Sequence, residues 1–142
     1  MKLVRHLLDS KGSNVVSVPP TESVLGAIKL MAEKGIGALV VMQGTKLAGV
    51  VTERDYARKV ILKDRSSHNT PVSEIMSAKV ITAALDDSVD HCMNLMTDKR
   101  IRHLPVVDAG QVVGMISIGD LVKAVIADQK EAIEQLEHYI TG

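Results

Sequence analysis

Aromatic side chains are nearly absent from this sequence: its 142 residues include two Tyr but no Phe and no Trp. Because 46% of the residues are still hydrophobic, the core must consist of aliphatic side chains and methionine. The sequence also has a single cysteine, Cys92, which cannot form an internal disulfide and is typical of a reducing compartment. A fold held together by disulfides within the chain is therefore excluded.

The sequence also lacks net charge and long hydrophobic runs. Lys and Arg together number 17, as do Asp and Glu, so nothing favours general binding to nucleic acid or anionic lipid. No apolar stretch is long enough to cross a bilayer. Arg5 and His6 interrupt the apolar run at the N-terminus, unlike the core of a signal peptide. We therefore expect a cytoplasmic protein of one ordinary domain, with no membrane partner.

The most informative feature is an internal repeat. The stretch Gly49–Asp55 has the sequence GVVTERD, and it returns at Gly114–Asp120 as GMISIGD. At this offset of 65 positions the two halves align without a gap from Val16 to Ile61. Agreement at one offset over so many positions indicates a duplication. The identities include Ser23/Ser88, Val24/Val89, Leu30/Leu95, Met31/Met96, Lys34/Lys99, Ile36/Ile101 and Leu39/Leu104.

Each copy is predicted to fold as β-α-β-β-α from its apolar periodicity and turn residues. The first copy has a strand at Val15–Val18, a helix capped by Thr21 and closed by Gly35, a hairpin of Ala38–Met42 and Leu47–Thr52, and a helix from about Glu53 to Leu62. The second has a strand at Val80–Ala83, a helix capped by Asp86, hairpin strands His103–Val107 and Gln111–Ser117, and a last helix from about Ile118 to Tyr139.

We expect an α/β (α+β) fold with repeats at 8–66 and 72–128 and a helical tail at 129–142. A three-stranded sheet cannot cover its own apolar face, so the two copies should pack sheet to sheet with pseudo-two-fold symmetry. The tail carries Ile133 and Leu136, which a single repeat does not need. It is either a packing or dimerisation surface or a plain surface helix.

Two strand-to-helix corners are the candidate binding sites. Thr52 and Ser117 each stand where a strand passes into a helix, and Asp55 and Asp120 follow three residues later. Unpaired N–H groups and a positive dipole at a helix start suit a phosphate. The carboxylate oxygens suit the hydroxyls of a ribose. The alternative is a capping box, in which hydroxyl and carboxylate satisfy each other's backbone N–H groups.

The repeat resembles a tandem pair of CBS domains, also called a Bateman module, because each copy ends in Gly-apolar-apolar-Ser/Thr-x-x-Asp. Residues Ile101–Val106, with the sequence IRHLPV, are also typical of that family, and the resemblance covers roughly Val15 to Ile126. It implies an adenosyl ligand: AMP, ADP or ATP, or else S-adenosylmethionine or NAD(H). It further implies regulation of another protein rather than catalysis, no required cofactor, and homodimers of modules.

Two further segments complete the predicted site. Adenine needs apolar walls and backbone hydrogen bonds, which the start of each first strand would supply unless these are ordinary strand-edge residues. The resemblance implies that the second strand of each repeat points toward phosphates, and arginine is well suited to bind phosphate. Alternatively, Arg100 and Arg102 are solvated surface charges. Arg54, a cation at a helix start, is a further phosphate candidate. The remaining candidates are Gly12, Asn14, Val15, Ser77, Lys79, Val80, Arg100, Arg102 and His103.

The sequence thus favours a regulatory module that binds an adenine nucleotide in a cleft between the repeats. The two sites should be unequal, because Gly37 and Ala38 replace Arg102 and His103 in the first copy. A small hydrolase or redox enzyme built on His103 or Cys92 is an alternative, although no nucleophile–base set accompanies either residue. A purely structural dimer with vestigial pockets is another. The histidines lack zinc-ligand spacing, and Cys92 is expected in the core.

Overall fold

The computed structural model describes residues 2–12 and 14–141, so Gly142, the last residue of the predicted tail, lies outside it. The fold is mixed α/β, as predicted. The elements in chain order are α1 (Val4–Lys11), β1 (Ser17–Val18), α2 (Val24–Lys34), β2 (Ala38–Gln43), β3 (Lys46–Thr52), α3 (Glu53–Tyr56) continuing as a π-helical turn (Ala57–Ile61), a 3-10 turn (Val72–Glu74), α4 (Val89–Lys99), β4 (His103–Asp108), β5 (Gln111–Ser117) and α5 (Ile118–Thr141).

The chain divides into two compact units that do not simply follow the order of the repeats. The first-repeat unit is Val15–Ile81, and the second-repeat unit combines the residues up to Asn14 with those from Thr82 onward. Helix α1 therefore belongs to the second-repeat unit although in sequence it lies at the start of the first repeat. Its apolar residues Val4, Leu7 and Leu8 are buried at the spacing of one helix face.

The first-repeat unit is built on a three-stranded sheet. β1 pairs in parallel with β2, and β2 pairs antiparallel with β3. β1 is shorter than the predicted Val15–Val18, because only Ser17 and Val18 pair with β2. An aliphatic core joins the sheet to α2. It includes Ala27 and Met31 of α2, Val18 of β1, Leu39 and Val41 of β2 and Val51 of β3. Val72 and Ile75, at the start of the second repeat in sequence, complete that core.

The predicted helix caps, Thr21 and Asp86, are both wrong. The caps lie two residues later, at Ser23 and Ser88, whose hydroxyls each accept a backbone N–H at 3.0 Å. The chain after Thr21 is still in a turn, and Asp86 instead forms an ion pair with Arg5. At the other end of α2, Gly35 adopts the predicted left-handed conformation, with φ 65°.

The second-repeat unit repeats the hairpin but loses the first strand. β4 and β5 pair antiparallel, and their register shifts at Val106, the position equivalent to the shift at Val41 in β2. The predicted strand Val80–Ala83 is reduced to a single bridge between Ala83 and Val106. α5 runs from Ile118 to Thr141 as one helix. No helix among the described residues combines the length and apolar character needed to cross a membrane.

The segments that lead into the two repeats are themselves equivalent, at an offset of 68 positions. Val4 corresponds to Val72, and both are fully buried. Leu7 likewise corresponds to Ile75, and Leu8 to Met76. Leu8 lies against Gly114 of β5, whereas Met76 lies against Gly49 of β3. Each leading segment therefore packs in the unit that holds the strands and helices of the other repeat.

Candidate functional site

The first corner joins β3 to α3 and is closed by hydrogen bonds between Thr52 and Asp55. The Thr52 hydroxyl accepts from the Asp55 backbone N–H at 3.1 Å. Oδ2 of Asp55 accepts from the Thr52 N–H at 3.0 Å and from the Thr52 hydroxyl at 3.1 Å. This is the capping box that the sequence allowed as an alternative, and it buries Asp55 to 8% exposure.

The second corner joins β5 to α5 and has the same geometry. The Ser117 hydroxyl accepts from the Asp120 N–H at 3.2 Å. Oδ2 of Asp120 accepts from the Ser117 N–H at 2.8 Å and from its hydroxyl at 3.0 Å. Capping and ligand binding are compatible here, because a carboxylate has about four acceptor positions and these bonds fall on Oδ2 alone.

Each corner carboxylate also pairs with a lysine that the sequence analysis did not predict. Nζ of Lys11 lies 2.6 Å from Oδ2 of Asp120 and donates to the Met115 carbonyl at 2.7 Å. Nζ of Lys59 lies 3.1 Å from Oδ1 of Asp55 and donates to the Ile75 carbonyl at 2.9 Å. Each lysine thus links its corner carboxylate to a backbone carbonyl. Both corners are therefore less negative than their aspartates alone would make them.

The charges at the second corner shift the pKa values of Asp120 and His103. Burial alone would raise the pKa of Asp120, but hydrogen bonds from Lys11 and Ser117 outweigh burial and hold that pKa below its ordinary value. Burial lowers the pKa of His103, as do the positive charges of Lys11 and Arg102, whereas Asp120 opposes them. Near neutral pH the corner therefore holds a carboxylate, an ammonium group and a neutral imidazole.

The predicted phosphate-binding residues of the second hairpin lie beside this corner. His103 pairs with Ser117 across β4 and β5, and the Ile118 N–H donates to the Arg102 carbonyl at 2.9 Å. In the first unit the equivalent contacts are made by Ala38, which pairs with Thr52, and by the carbonyl of Gly37. The second corner therefore has two side chains, Arg102 and His103, that the first corner lacks.

Arg100 and Arg54 occupy different settings. Arg100 ends α4 as an exposed residue with φ 55°, at the position equivalent to Gly35. It is one of three non-glycine residues with positive φ among the described residues. Arg54 is exposed in the first turn of α3.

The predicted adenine-wall segments lie with the opposite corners from those that their sequence positions suggested. Ser77 exchanges two backbone hydrogen bonds with Val50, at 2.9 and 3.1 Å, and so lies beside the strand that carries Thr52. Lys79 and Val80 follow in the same unit. Gly12 ends α1 and donates its N–H to the Leu8 carbonyl. Gly12 and Asn14 belong to the unit that carries Ser117, whereas Val15 belongs to the unit that carries Thr52.

Cys92 is a core residue, as predicted. It is fully buried on α4, and burial raises the pKa of its thiol to about 11, with Asp87 contributing. A thiol of this kind is a poor nucleophile at neutral pH. Within residues 2–12 and 14–141, no three His, Cys, Asp or Glu side chains are placed to hold a metal ion.

Comparison with known proteins identifies both repeats. The CBS domain family matches residues 4–62 and again residues 72–127. The mitochondrial CBS domain-containing protein CBSX3 of Arabidopsis thaliana is 44% identical over 85% of this chain, which spans 61% of that protein. The CBS domain-containing protein YhcV of Bacillus subtilis is 34% identical over 80% of each chain.

Solved structures agree in fold. A protein with CBS domains from Burkholderia ambifaria is 56% identical, with a TM-score of 0.87, and the match covers 90% of this chain and 96% of that one. The CBS domain pair of protein MJ0100, solved with 5′-methylthioadenosine and S-adenosyl-L-methionine, is 27% identical with a TM-score of 0.79 over 90% of this chain and 98% of that one. The duplicated corners and the family matches lead to one conclusion: this chain belongs to the CBS domain family and is a tandem CBS pair.

Proposed function

We propose that this CBS pair is a regulatory module that binds an adenine nucleotide, AMP, ADP or ATP, at the corner of Ser117 and Asp120. The observation that carries the proposal is the group of Lys11, Arg102, Ser117 and Asp120 at the start of a 24-residue helix. The binding of 5′-methylthioadenosine and S-adenosyl-L-methionine by the CBS pair of MJ0100 supports an adenosyl ligand. The nucleotide would act as an effector, and this function requires no catalysis by the chain.

The phosphate is assigned to the start of α5. The dipole at the start of a helix favours negative charge. The Ile118 and Asp120 N–H groups already donate to the Arg102 carbonyl and the Ser117 hydroxyl, so the dipole and the side chains carry this assignment. Lys11 and the exposed Arg102 add two positive charges to the same corner. The forked donors of an arginine fit phosphate oxygens especially well. This arrangement favours a nucleotide over the uncharged nucleoside.

The ribose is assigned to the carboxylate of Asp120. The capping bonds and the Lys11 contact all use Oδ2, so Oδ1 provides acceptor positions for vicinal hydroxyls. The pKa of Asp120 is lowered, so the carboxylate is ionised near neutral pH. Lys11 offsets its negative charge and reduces the repulsion that a phosphate would otherwise meet.

The first corner is proposed as a second, weaker phosphate site. It has the same Thr52 and Asp55 capping box, but Gly37 and Ala38 replace Arg102 and His103. Arg54 and Lys59 are its nearest positive residues in sequence. We propose Ser77, Lys79 and Val80 as the adenine wall of this corner, and Gly12 and Asn14 as the wall of the other, because the compact units group them in this way.

The proposed module works in the cytoplasm as a homodimer, and a separate regulated protein responds to its ligand state. A ligand can shift the balance of two arrangements only by the difference in its affinity for them. Repeats at 8–66 and 72–128 would supply the ligand response, with the tail at 129–142 outside them.

Calorimetric titration with AMP and with adenosine tests the proposal. The wild-type chain should bind AMP more tightly, and Arg102→Ala and Lys11→Met should each weaken AMP binding about tenfold, equivalent to about 1.4 kcal/mol. Adenosine affinity should change little. Lys99→Met, which removes a cation at the end of α4, is the matched control. Equal AMP affinity in all four proteins would contradict the assignment, and conversion of AMP to a product on incubation would show an enzyme instead.

A further inference from the structure

The outer half of α5 carries an apolar stripe on its exposed surface. Ile126, Ile133 and Ile140 recur every seven residues, and Leu136 lies between the last two. In chain order, the exposed fractions of Ile126, Ile133, Leu136 and Ile140 are 57%, 56%, 61% and 80%. Isoleucine at this spacing matches the a positions of a coiled coil, and the d positions three residues on are Gln129 and Leu136.

This stripe is not a continuation of the face that α5 buries in its own unit. Leu121 and Ala124 face the core in the first half of the helix, at 0% and 7% exposure. At seven-residue steps, Leu121 is followed by Asp128 and Gln135, and Ala124 is followed by Glu131 and His138. The core-facing stripe thus becomes polar, while the apolar stripe lies on a different side of the helix. Packing within the unit therefore does not explain the apolar stripe.

Charges beside the stripe indicate which partner fits it. Lys130 and Glu137 both occupy the e position, directly after a d position. When two tails align antiparallel with Ile133 opposite the partner's Leu136, Lys130 lies opposite the partner's Glu137. The two-fold axis generates this charge pair twice. In a parallel alignment each e position instead faces a g position of the preceding heptad, which here is Val125 or Ala132, and no charge pair forms.

We propose that the outer half of α5 pairs antiparallel with the same segment of a second copy of this chain, forming a short two-stranded coiled coil. An isologous interface of this kind closes on itself and stops at a dimer. The four layers are Gln129 with Ile140 and Ile133 with Leu136, each formed twice. The first half of the helix is anchored in the fold, which removes the nucleation cost that limits short isolated helices.

This inference specifies a surface for the homodimer proposed above and is independent of nucleotide binding. Four layers make a small interface, so the dimer should dissociate on dilution. Sedimentation equilibrium of the full chain without nucleotide measures it directly. Ile133→Glu and Leu136→Glu should each raise the dissociation constant at least tenfold, whereas Gln135→Glu, which adds the same charge on the polar stripe, should leave it nearly unchanged. These positions are exposed, so unchanged circular dichroism would verify that the variants fold.

Charge exchange and cysteine pairing test the antiparallel alignment. Lys130→Glu and Glu137→Lys should each weaken the dimer, and the double variant should restore it, because both cross-pairs are re-formed with reversed sign. Gln129→Cys together with Ile140→Cys should cross-link two chains on oxidation, whereas Gln129→Cys alone should not. Cross-linking by the single variant would show a parallel pair and overturn the proposal. A monomeric wild-type chain would overturn both this surface and the homodimer, whereas a dimer insensitive to tail variants would overturn this surface alone.

Discussion

The two glycines that begin the duplicated motif, Gly49 and Gly114, have different neighbours, and alanine at each position should have a different effect. A Cβ at Gly49 would lie 2.7 Å from Sδ of Met76 and 2.8 Å from the backbone carbonyl oxygen of Ser77. A Cβ at Gly114 would lie 2.7 and 3.1 Å from the two terminal methyl groups of Leu8. The first obstacle includes backbone, whereas the second is only the end of a flexible side chain.

The structure allows the free energies of unfolding to be estimated. Overpacking costs about 1–3 kcal/mol. At Gly49 it also displaces the Ser77 carbonyl, which accepts the Val50 N–H at 3.1 Å, a bond worth about 1 kcal/mol. Alanine recovers about 0.4–1 kcal/mol by restricting the unfolded chain. The net loss should therefore be about 2 kcal/mol for Gly49→Ala. For Gly114→Ala it should be below about 1 kcal/mol, because a rotamer change of Leu8 costs only about 0.5–1.5 kcal/mol.

Urea unfolding followed by far-ultraviolet circular dichroism measures both values, since the chain has no tryptophan. The corresponding losses in melting temperature are roughly 7 °C for Gly49→Ala and below about 3 °C for Gly114→Ala in a chain of this size. Repeating Gly49→Ala in a Met76→Ala background separates the two obstacles, and most of the loss should remain because the Ser77 carbonyl remains. An equal or larger loss for Gly114→Ala, or full rescue by Met76→Ala, would refute the reasoning.

Two further predictions concern Arg100 and Lys11. Arg100→Gly should raise the free energy of unfolding by about 1 kcal/mol. Arg100 has a left-handed conformation with φ 55°, which is unfavourable by about 1–2 kcal/mol for any residue with a Cβ atom. An unchanged melting temperature would contradict this prediction. Lys11→Met should raise the pKa of both Asp120 and His103, since Lys11 lowers both, and NMR titration that shows neither change would contradict the geometry. The lowered pKa of His103 also predicts a pH dependence of stability in the wild-type chain. Below pH 6.5, the ordinary pKa of histidine, the free energy of unfolding should fall, because the unfolded chain binds a proton that the native chain resists. His103→Gln should reduce that fall.

The hairpins could be predicted from sequence because their signals are local. β2 and β3, like β4 and β5, are apolar runs joined by two-residue turns with glycine, a pattern that needs little help from the rest of the chain. The helix caps were missed because Thr21 and Asp86 are themselves good capping residues. Backbone from distant segments determines the observed starts: the Val24 N–H donates to the Thr70 carbonyl, and the Val89 N–H to the Lys2 carbonyl.

The same distinction applies to the candidate site. The corners of Thr52 and Ser117 were visible because the motif is repeated, and their capping boxes are formed within four residues. Lys59 could have been found as the residue four positions after Asp55 on one helix face. Lys11 could not, since 109 residues separate it from Asp120 and the helix that carries it was not predicted. Only the packing of α1 against β5 brings that ammonium group to the corner.

The placement of the leading segments has a consequence for the origin of this protein. Val72 and Ile75 complete the core of a unit whose strands come from the first repeat, and α1 does the same for the second. Before the duplication, a single ancestral copy with this architecture would have had to exchange its N-terminal segment with that of a second, identical molecule. On this argument, neither half should fold as a monomer when the chain is cut between the repeats.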